Sequence, residues 1–201
     1  MHILCSDLEG VFVPEIWINV ALATGIEELK LTTRDISDYD VLMRKRISIM
    51  EENNLKLGDI QAVIEQMEPL EGAVDFLEWI RRRSQIIIVS DTFVEFAGPL
   101  MQKLGWPTLF CNSLEVAADG MVTGYKLRQT DGKRKTTRAL KDLNFTVVAF
   151  GDSYNDITML QEADAAFLFR PPERLTREYP EIAWTKTYEG LKDLILQATA
   201  N

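Results

Sequence analysis

Acidic residues directly follow two of the most apolar stretches of this chain. Asp7 and Glu9 come after "HILCS", and Asp152 and Asp156 come after "TVVAFG". Four carboxylates at close range cannot all be ionised without a counter-charge. Mg²⁺ prefers carboxylate, carbonyl and water oxygens and is often shared with a substrate phosphate. A carboxylate beside Mg²⁺ can also attack a phosphoryl group and form an aspartyl-phosphate, so the pattern predicts magnesium-assisted phosphoryl transfer.

Such chemistry also needs groups that hold the other phosphoryl oxygens. Ser90 ends the apolar run "QIIIVS" and offers a hydroxyl. A lysine should lie where a helix begins near the site. Lys133, just before "RKTTRALKDL", meets that requirement, and Lys135 is the alternative.

Each of these residues also has an ordinary structural explanation. Asp-x-Glu-Gly can be a turn after a strand, Ser90 can cap the following helix, and Lys133 can lie on a solvated helix start. Asp152 alone can cap a helix as well. The arrangement as a whole favours a functional site, because each part follows a predicted strand and "GDSYND" is hard to explain as surface decoration.

Composition excludes several classes of function. The 201 residues are 46% hydrophobic and 26% charged, as in ordinary soluble proteins. The net charge of −9 argues against nucleic-acid binding, and the single histidine, His2, argues against Ser–His–Asp or Cys–His catalysis. No apolar run reaches the roughly 18–20 residues of a membrane span, and no signal peptide is evident. Cys5 and Cys111 lie in apolar runs, so we expect buried thiols and a cytoplasmic protein.

The elements that must position these residues follow from short, continuously apolar runs. Such runs are typical of strands covered on both faces. We predict strands at 2–6, 85–90, 108–113, 146–151 and 165–169, and helices at 71–83, 93–105 and 134–143. Their alternation favours an α/β fold with a Rossmann-like parallel sheet and helices on both faces. Because the carboxyl ends of parallel strands share one edge, Asp7, Ser90 and Asp152 should converge there.

Residues 15–70 contain helical patterns but no convincing strand. We therefore predict a small inserted helical cap domain at 15–70 and an α/β core domain formed by 1–14 and 71–201. Asp119-Gly120, between short β-like runs, predicts a hairpin within 114–129.

With these motifs in order, the chain resembles the haloacid dehalogenase-like superfamily of phosphatases. "DLEGV", "VSDT", Lys133 and "GDSYND" resemble its four motifs in sequence order. The likeness extends along the whole chain, through "VPEIW", "TTRDI", "DYDVLM", "LKLGDIQ" and "PLEGAV". It is greatest to the group of bifunctional phosphoserine phosphatases that also transfer phosphate to homoserine.

This resemblance implies a role for each site residue. Asp7 would be the nucleophile and a Mg²⁺ ligand, Glu9 the general acid with its main-chain carbonyl on the ion, and Asp152 the third protein ligand. Asp156 would support the metal site from behind. The residues implied to bind substrate are Ser90 and Lys133 (phosphoryl group), Asn155 and Asp91 (beside the phosphate), Glu15 (ammonium), Arg46 (carboxylate) and Tyr39 (closing the pocket).

Three of these assignments have simple alternatives. Arg46, within "RKR", can belong to a solvated helix face. Glu15 can favour a helix dipole in the first turn after Pro14. Tyr39 can be a packing residue.

Two residues depart from ordinary phosphoserine phosphatases. Glu9 replaces an aspartate and is one methylene longer, and Asp91 stands where glycine is general. Both departures agree with the bifunctional group.

The sequence therefore predicts a Mg²⁺-dependent phosphoserine phosphatase that also transfers the phosphoryl group to homoserine. L-phosphoserine and L-homoserine are the expected small-molecule partners, with neither nucleic acid nor membrane, in a monomer or homodimer. A phosphatase for another small phosphomonoester is the first alternative, because the cap sets specificity. A catalytically silent binding protein on the same fold is the second.

Overall fold

The computed structural model describes residues 1–32, 35–36 and 38–200. Residues 33 and 34, in the family-like segment "TTRDI", lie outside the described residues, as do 37 and 201. Within the described part, the strands are β1 (His2–Ser6), β2 (Gln85–Phe93), β3 (Thr108–Val116), β4 (Val122–Lys126), β5 (Thr146–Gly151), β6 (Ala165–Phe169) and β7 (Ala183–Thr185). The α-helices there are α1 (Ile16–Thr24), α2 (Tyr39–Glu52), α3 (Leu57–Gln66), α4 (Ala73–Arg81), α5 (Val94–Lys103), α6 (Gly132–Asp142), α7 (Ile157–Glu162), α8 (Glu173–Glu178) and α9 (Tyr188–Ala198).

The described strands form one sheet in the order β4-β3-β2-β1-β5-β6-β7. All neighbours are parallel except β3 and β4, which form the predicted antiparallel hairpin. β1 lies between β2 and β5, with Ser6 opposite both Ile88 and Phe150. The three predicted motif-bearing strands are therefore adjacent and end at the same edge.

Helices cover both faces of the sheet because successive residues of a strand point to opposite sides. In β1, Leu4 belongs to one buried cluster, which includes residues of α4, α5 and α9. Its neighbours Ile3 and Cys5 belong to a second buried cluster, which includes residues of α6, α7 and α8. The predicted fold class is confirmed.

Helices α1 to α3 lie between β1 and α4 in sequence, as predicted. α1 ends at Gly25, whose φ of 73° is the left-handed conformation that glycine adopts readily. Val20 and Ile60 of this helical block lie in the same buried cluster as Phe76 of the core. These described residues of the block thus pack with the core, and the cap boundaries at 15–70 stay a prediction.

Some features were not predicted. β7, α8 and α9, all after residue 170, had no counterpart in the pattern, and β2 continues to Phe93 rather than ending at Ser90.

Cys5 and Cys111 are buried free thiols, as expected. The cytoplasmic location and oligomeric state stay predictions. Among the described helices, none has both the length and the apolar character needed to cross a bilayer.

Candidate active site

The carboxyl ends of β1, β2 and β5 bring the predicted site residues together. Asp7 follows β1 directly, and its amide donates to the Phe150 carbonyl of β5 at 3.2 Å. β2 loses its regular register with β3 between Val89 and Phe93. Irregularities of this kind redirect side chains beside active sites. They explain how Ser90, within a strand, comes to line the same cleft as Asp7.

Gly10 allows the chain after β1 to pass against the loop after β5. Its φ of 74° lies in the left-handed region, and an added Cβ would collide with the Asp152 carboxylate. The "DLEG" motif therefore needs its glycine for close approach to Asp152. This close approach is a structural reason for a glycine at position 10.

Lys133 lies between two of the buried carboxylates. Its Nζ is 2.8 Å from Asp7 Oδ2 and 2.7 Å from Asp156 Oδ1, and 3.9 Å from Asp91 Oδ2. Only 4% of the Lys133 side chain is exposed, whereas Lys135 is exposed on the other side of α6. Lys133 rather than Lys135 is therefore the lysine that reaches the site.

Burial and charge act together on this ion pair. Burial and the nearby Asp156 carboxylate raise the pKa of Asp7, and the Lys133 ammonium partly offsets that rise. Burial alone would lower the pKa of Lys133, but Asp156 and Asp7 hold it well above its ordinary value. Lys133 is therefore a permanent cation at the base of the site.

Asp156 holds the loop after β5 in place. Its Oδ2 accepts hydrogen bonds from the amides of Asp152 and Ser153 at 3.0 and 3.1 Å, and its Oδ1 faces Lys133. Both oxygens are thus engaged within the protein. This arrangement suits a residue that supports a metal site from behind.

The acidic cluster has the chemistry of a divalent-cation site. One oxygen each from Asp7, Asp152 and Asp156 lie within 4.8 Å of one another, and all three residues are buried. The donors are oxygens only, as hard cations prefer. Three carboxylates against the single Lys133 ammonium leave two negative charges, which a divalent ion would balance.

Glu9 is half-buried, and its carboxyl group lies in a negatively charged environment. Its Oε2 accepts a hydrogen bond from the Ile16 amide at 2.8 Å, at the start of α1. Burial and the nearby Glu15 carboxylate raise the pKa of Glu9 to about 8, although Ile16, Arg46 and Lys133 act in the opposite direction. A carboxyl with this pKa holds a proton at neutral pH and can donate it, as a general acid must.

Arg46 is buried, so the expectation of a solvated face does not hold for it. Only 7% of the residue is exposed, and its guanidinium lies 4.6 Å above the Trp17 ring. Nη2 donates to the Leu31 carbonyl at 2.8 Å, while Nε is buried and has no hydrogen-bond partner among the described residues. Burial lowers the pKa of Arg46 to about 10, and Glu9 is the largest opposing influence. Arg46 therefore remains a cation with donor capacity to spare.

One cleft contains the site at the sheet edge and the side chains of the helical block. Its empty space is about 630 Å³, a volume that includes open solvent. Its lining includes Asp7, Glu9, Glu15, Tyr39, Arg46, Ser90, Asp91, Asp152 and Asn155. Of the predicted substrate-binding residues, only Lys133 is not in this lining, and it reaches the cleft through Asp7.

The helix-capping alternative for Ser90 and the helix-dipole alternative for Glu15 can be compared with the structure. Ser90 does not cap α5, because the residue before that helix is Phe93 and no side chain caps it. The Ser90 hydroxyl instead accepts from the Thr92 amide at 3.2 Å. Glu15 precedes α1 and does not cap it with its side chain. Both side chains line the cleft.

Asp91 connects several parts of the site. Its carboxylate accepts a hydrogen bond from Asn155 at 2.9 Å, and its main-chain carbonyl accepts from the Tyr39 hydroxyl at 2.9 Å and from Asn112 at 3.3 Å. Tyr39 therefore hydrogen-bonds to the core directly, in addition to packing against its neighbours.

Several lining residues were not predicted. Trp17, Thr32 and Leu42 come from the helical block, and Thr92 and Ser153 lie within the motifs "VSDT" and "GDSYND". The first three occupy ordinary helix or loop positions, so periodicity gives no signal for them. Thr92 and Ser153 could have been found as neighbours of Ser90 and Asp152.

The fold and this site define a class of protein. The chain belongs to the haloacid dehalogenase-like hydrolases, whose family model matches residues 11–164. This is a family of enzymes, and the prediction of the superfamily is confirmed.

More specific relatives share most of the chain. It is 56% identical over 200 residues to phosphoserine phosphatase ThrH of Pseudomonas aeruginosa, covering 100% of this chain and 98% of the relative. It is 53% identical over 199 residues to a phosphoserine phosphatase of Pseudomonas syringae pv. tomato, covering 99% and 84%. A crystal structure of apo phosphoserine phosphatase superposes with a TM-score of 0.73 at 25% identity, covering 92% of this chain and 93% of the other.

Proposed function

We propose that this enzyme is a Mg²⁺-dependent phosphoserine phosphatase that works through an aspartyl-phosphate on Asp7. The observation that carries the proposal is a single cleft with two chemically different parts. Asp7, paired with Lys133, lies in one part, and Arg46 and Glu15 line the other. Two relatives of more than 50% identity carry the name phosphoserine phosphatase, which supports this substrate.

The three charged groups of phosphoserine each have a matching partner. The buried Arg46, whose Nε lacks a partner among the described residues, can bind the carboxylate through paired hydrogen bonds. Glu15 can pair with the ammonium. Ser90 and Lys133 can hold phosphoryl oxygens, with Asn155 beside them.

The oxygen donors suit Mg²⁺. The Asp7 and Asp152 carboxylates and the Glu9 main-chain carbonyl would hold the ion, and Asp156 would support them from behind. When bound, Mg²⁺ supplies positive charge that offsets the repulsion between the anionic nucleophile and the anionic phosphate.

Two transfers complete the reaction. First, an Asp7 carboxylate oxygen attacks phosphorus, the bond to the serine oxygen breaks, and Glu9 gives that oxygen its proton. Glu9 then accepts a proton from the incoming hydroxyl, whose oxygen attacks phosphorus and releases Asp7. Lys133 neutralises Asp7 whenever the carboxylate is restored.

The second transfer has two possible acceptors. Water gives inorganic phosphate, and homoserine gives phosphohomoserine. We propose that both react, because Glu9 is longer than the usual aspartate and Asp91 replaces the usual glycine. Residues 15–70 would act as the cap domain that closes over the cleft and restricts water.

Product analysis tests this function. L-phosphoserine is incubated with the protein, with and without homoserine, in Mg²⁺ or in EDTA, and the products are identified by phosphorus NMR. We expect inorganic phosphate in Mg²⁺, additional phosphohomoserine with homoserine, and no reaction in EDTA. Phosphate alone in the presence of homoserine would remove the transfer activity from the proposal.

A substrate panel separates the alternatives. Faster release from another small phosphomonoester would contradict phosphoserine as the substrate. If no phosphomonoester reacts, or if Asp7→Asn keeps full activity, the enzymatic proposal fails and a binding role on this fold gains support.

A further inference from the structure

The β3–β4 hairpin contacts the helical block at the start of α2. Tyr125 of β4 donates a hydrogen bond from its hydroxyl to Asp40 Oδ1 at 2.6 Å. The neighbouring Tyr39 donates to the Asp91 main-chain carbonyl of β2 at 2.9 Å. The two tyrosine rings meet edge to face, with centroids 5.8 Å apart. Two adjacent residues of one helix are thus held by two strands of the core.

α2 does not need Tyr125 in order to form. Asp38 caps the helix by accepting from the amides of Asp40 and Val41 at 2.9 and 3.1 Å. The other Asp40 oxygen pairs with Arg44 of the same helix at 2.7 Å. Because these local interactions already satisfy the helix start, the bond from Tyr125 adds docking rather than helix stability.

The position of α2 matters for the cleft. Tyr39, Leu42 and Arg46 of this helix all line it. Arg46 lies two helical turns after Tyr39, so any shift of the helix start moves the guanidinium relative to the catalytic loops. Burial and the Asp40 carboxylate raise the pKa of Tyr125 to about 12, so its hydroxyl keeps its proton near neutral pH.

We propose that Tyr125 is a positioning residue whose hydrogen bond to Asp40, the Tyr125–Asp40 latch, holds α2 against the core. This contact places Arg46 for the substrate carboxylate. The inference rests on the proposed function for its substrate, and it adds the hairpin to the parts that determine substrate affinity. Tyr125 does not line the cleft, so its effect is transmitted through Asp40 and Tyr39.

Tyr125→Phe tests the latch because it removes one hydroxyl and keeps the ring packed. Thr123→Val is the matched control. It removes a hydroxyl from the same strand, and within the described part of the chain that hydroxyl donates to the Glu115 carbonyl of the same hairpin. We expect Tyr125→Phe to raise KM for L-phosphoserine about threefold to tenfold, with kcat changed by less than about twofold. A loss of folded protein would instead lower apparent kcat and leave KM unchanged.

Hydrogen–deuterium exchange provides a readout that needs no substrate. Amides of 39–52 should exchange faster in Tyr125→Phe than in the unmodified protein, and Thr123→Val should match the unmodified protein. An unchanged KM and unchanged exchange in Tyr125→Phe would overturn the latch, as would equal changes in Thr123→Val. If the unmodified protein does not hydrolyse phosphoserine, the proposed function fails, and exchange alone decides the latch.

Discussion

The sheet edge and the helical block contribute to the cleft in different ways. At the edge, Asp7 and Asp152 follow strands whose order and register force them together. In the helical block, Arg46 and Tyr39 reach the same cleft from a helix that β-strand order does not constrain. The edge would therefore determine the chemistry of the reaction, and the block would determine which substrate is positioned for it.

The strongest test of this division is the loss of the nucleophile. Asp7→Asn keeps the size of the side chain but removes its ability to form an acyl-phosphate. We expect phosphatase activity to fall about 10⁴-fold or more, because nucleophile and base act as one unit. Initial rates of phosphate release measure it, and circular dichroism controls for folding. Substantial residual activity would mean that another group attacks phosphorus.

Removal of the proton donor should have the next largest effect. Glu9→Gln preserves the acceptor for the Ile16 amide but cannot donate a carboxyl proton. We expect kcat to fall about 10²–10⁴-fold, the usual contribution of general acid–base catalysis. Steady-state kinetics with L-phosphoserine measure this, and an unchanged kcat would remove Glu9 from the reaction.

A substitution in the helical block should change the substrate preference of the enzyme. Arg46→Ala leaves Asp7 and Asp152 in place. We expect kcat/KM for phosphoserine to fall about 30-fold or more, from the about 2–5 kcal/mol typical of truncating one member of a buried charge pair. Lys45→Ala, an exposed neighbour, is the control. The kcat/KM for phosphoethanolamine, which lacks the carboxylate, should change little. Equal losses on both substrates would assign Arg46 to stability instead.

The two regions should also be linked through the pKa of Glu9. That pKa is raised to about 8 by burial and then by Glu15 of the block. Because Glu9 must be protonated for the first transfer, kcat/KM should decline above about pH 8, by about tenfold per pH unit. Glu15→Gln removes a charge that raises this pKa, so the decline should begin at lower pH. A profile flat to pH 10 would contradict the assignment.

The smallest effect is expected at Lys135, and its comparison with Lys133 separates the two lysines of α6. Lys135→Ala changes an exposed residue of α6 and should alter kcat/KM by less than about twofold. Lys133→Ala removes the cation 2.8 Å from Asp7 and should nearly abolish activity. Comparable losses in the two variants would show that the position of Lys133 is not what matters.

The sequence predicted the sheet edge far better than the helical block. Continuous apolar runs gave the strands, and adjacency of Asp7, Ser90 and Asp152 followed from the shared edge of parallel strands. It did not predict that Arg46 is buried over Trp17, because "RKR" on an amphipathic helix looks solvated. Burial there depends on tertiary packing that local periodicity does not contain.

The electrostatic arrangement was only partly predictable. The need for a counter-charge among the acids followed from their number, but the place of Lys133 between Asp7 and Asp156 required the fold. Asp91 was predicted to lie beside the phosphate. Its contacts with Tyr39, Asn112 and Asn155 come from three separate segments, which no spacing in the sequence links.

If the phosphoryl group passes through Asp7, as we propose, one measurement shows it directly. The enzyme is mixed with L-phosphoserine in Mg²⁺, quenched rapidly in acid, digested, and analysed by mass spectrometry. We predict a phosphoryl group on the peptide that contains Asp7, formed before phosphate appears in solution and absent in Asp7→Asn. Phosphate release without any modification of that peptide on the timescale of one turnover would contradict the account.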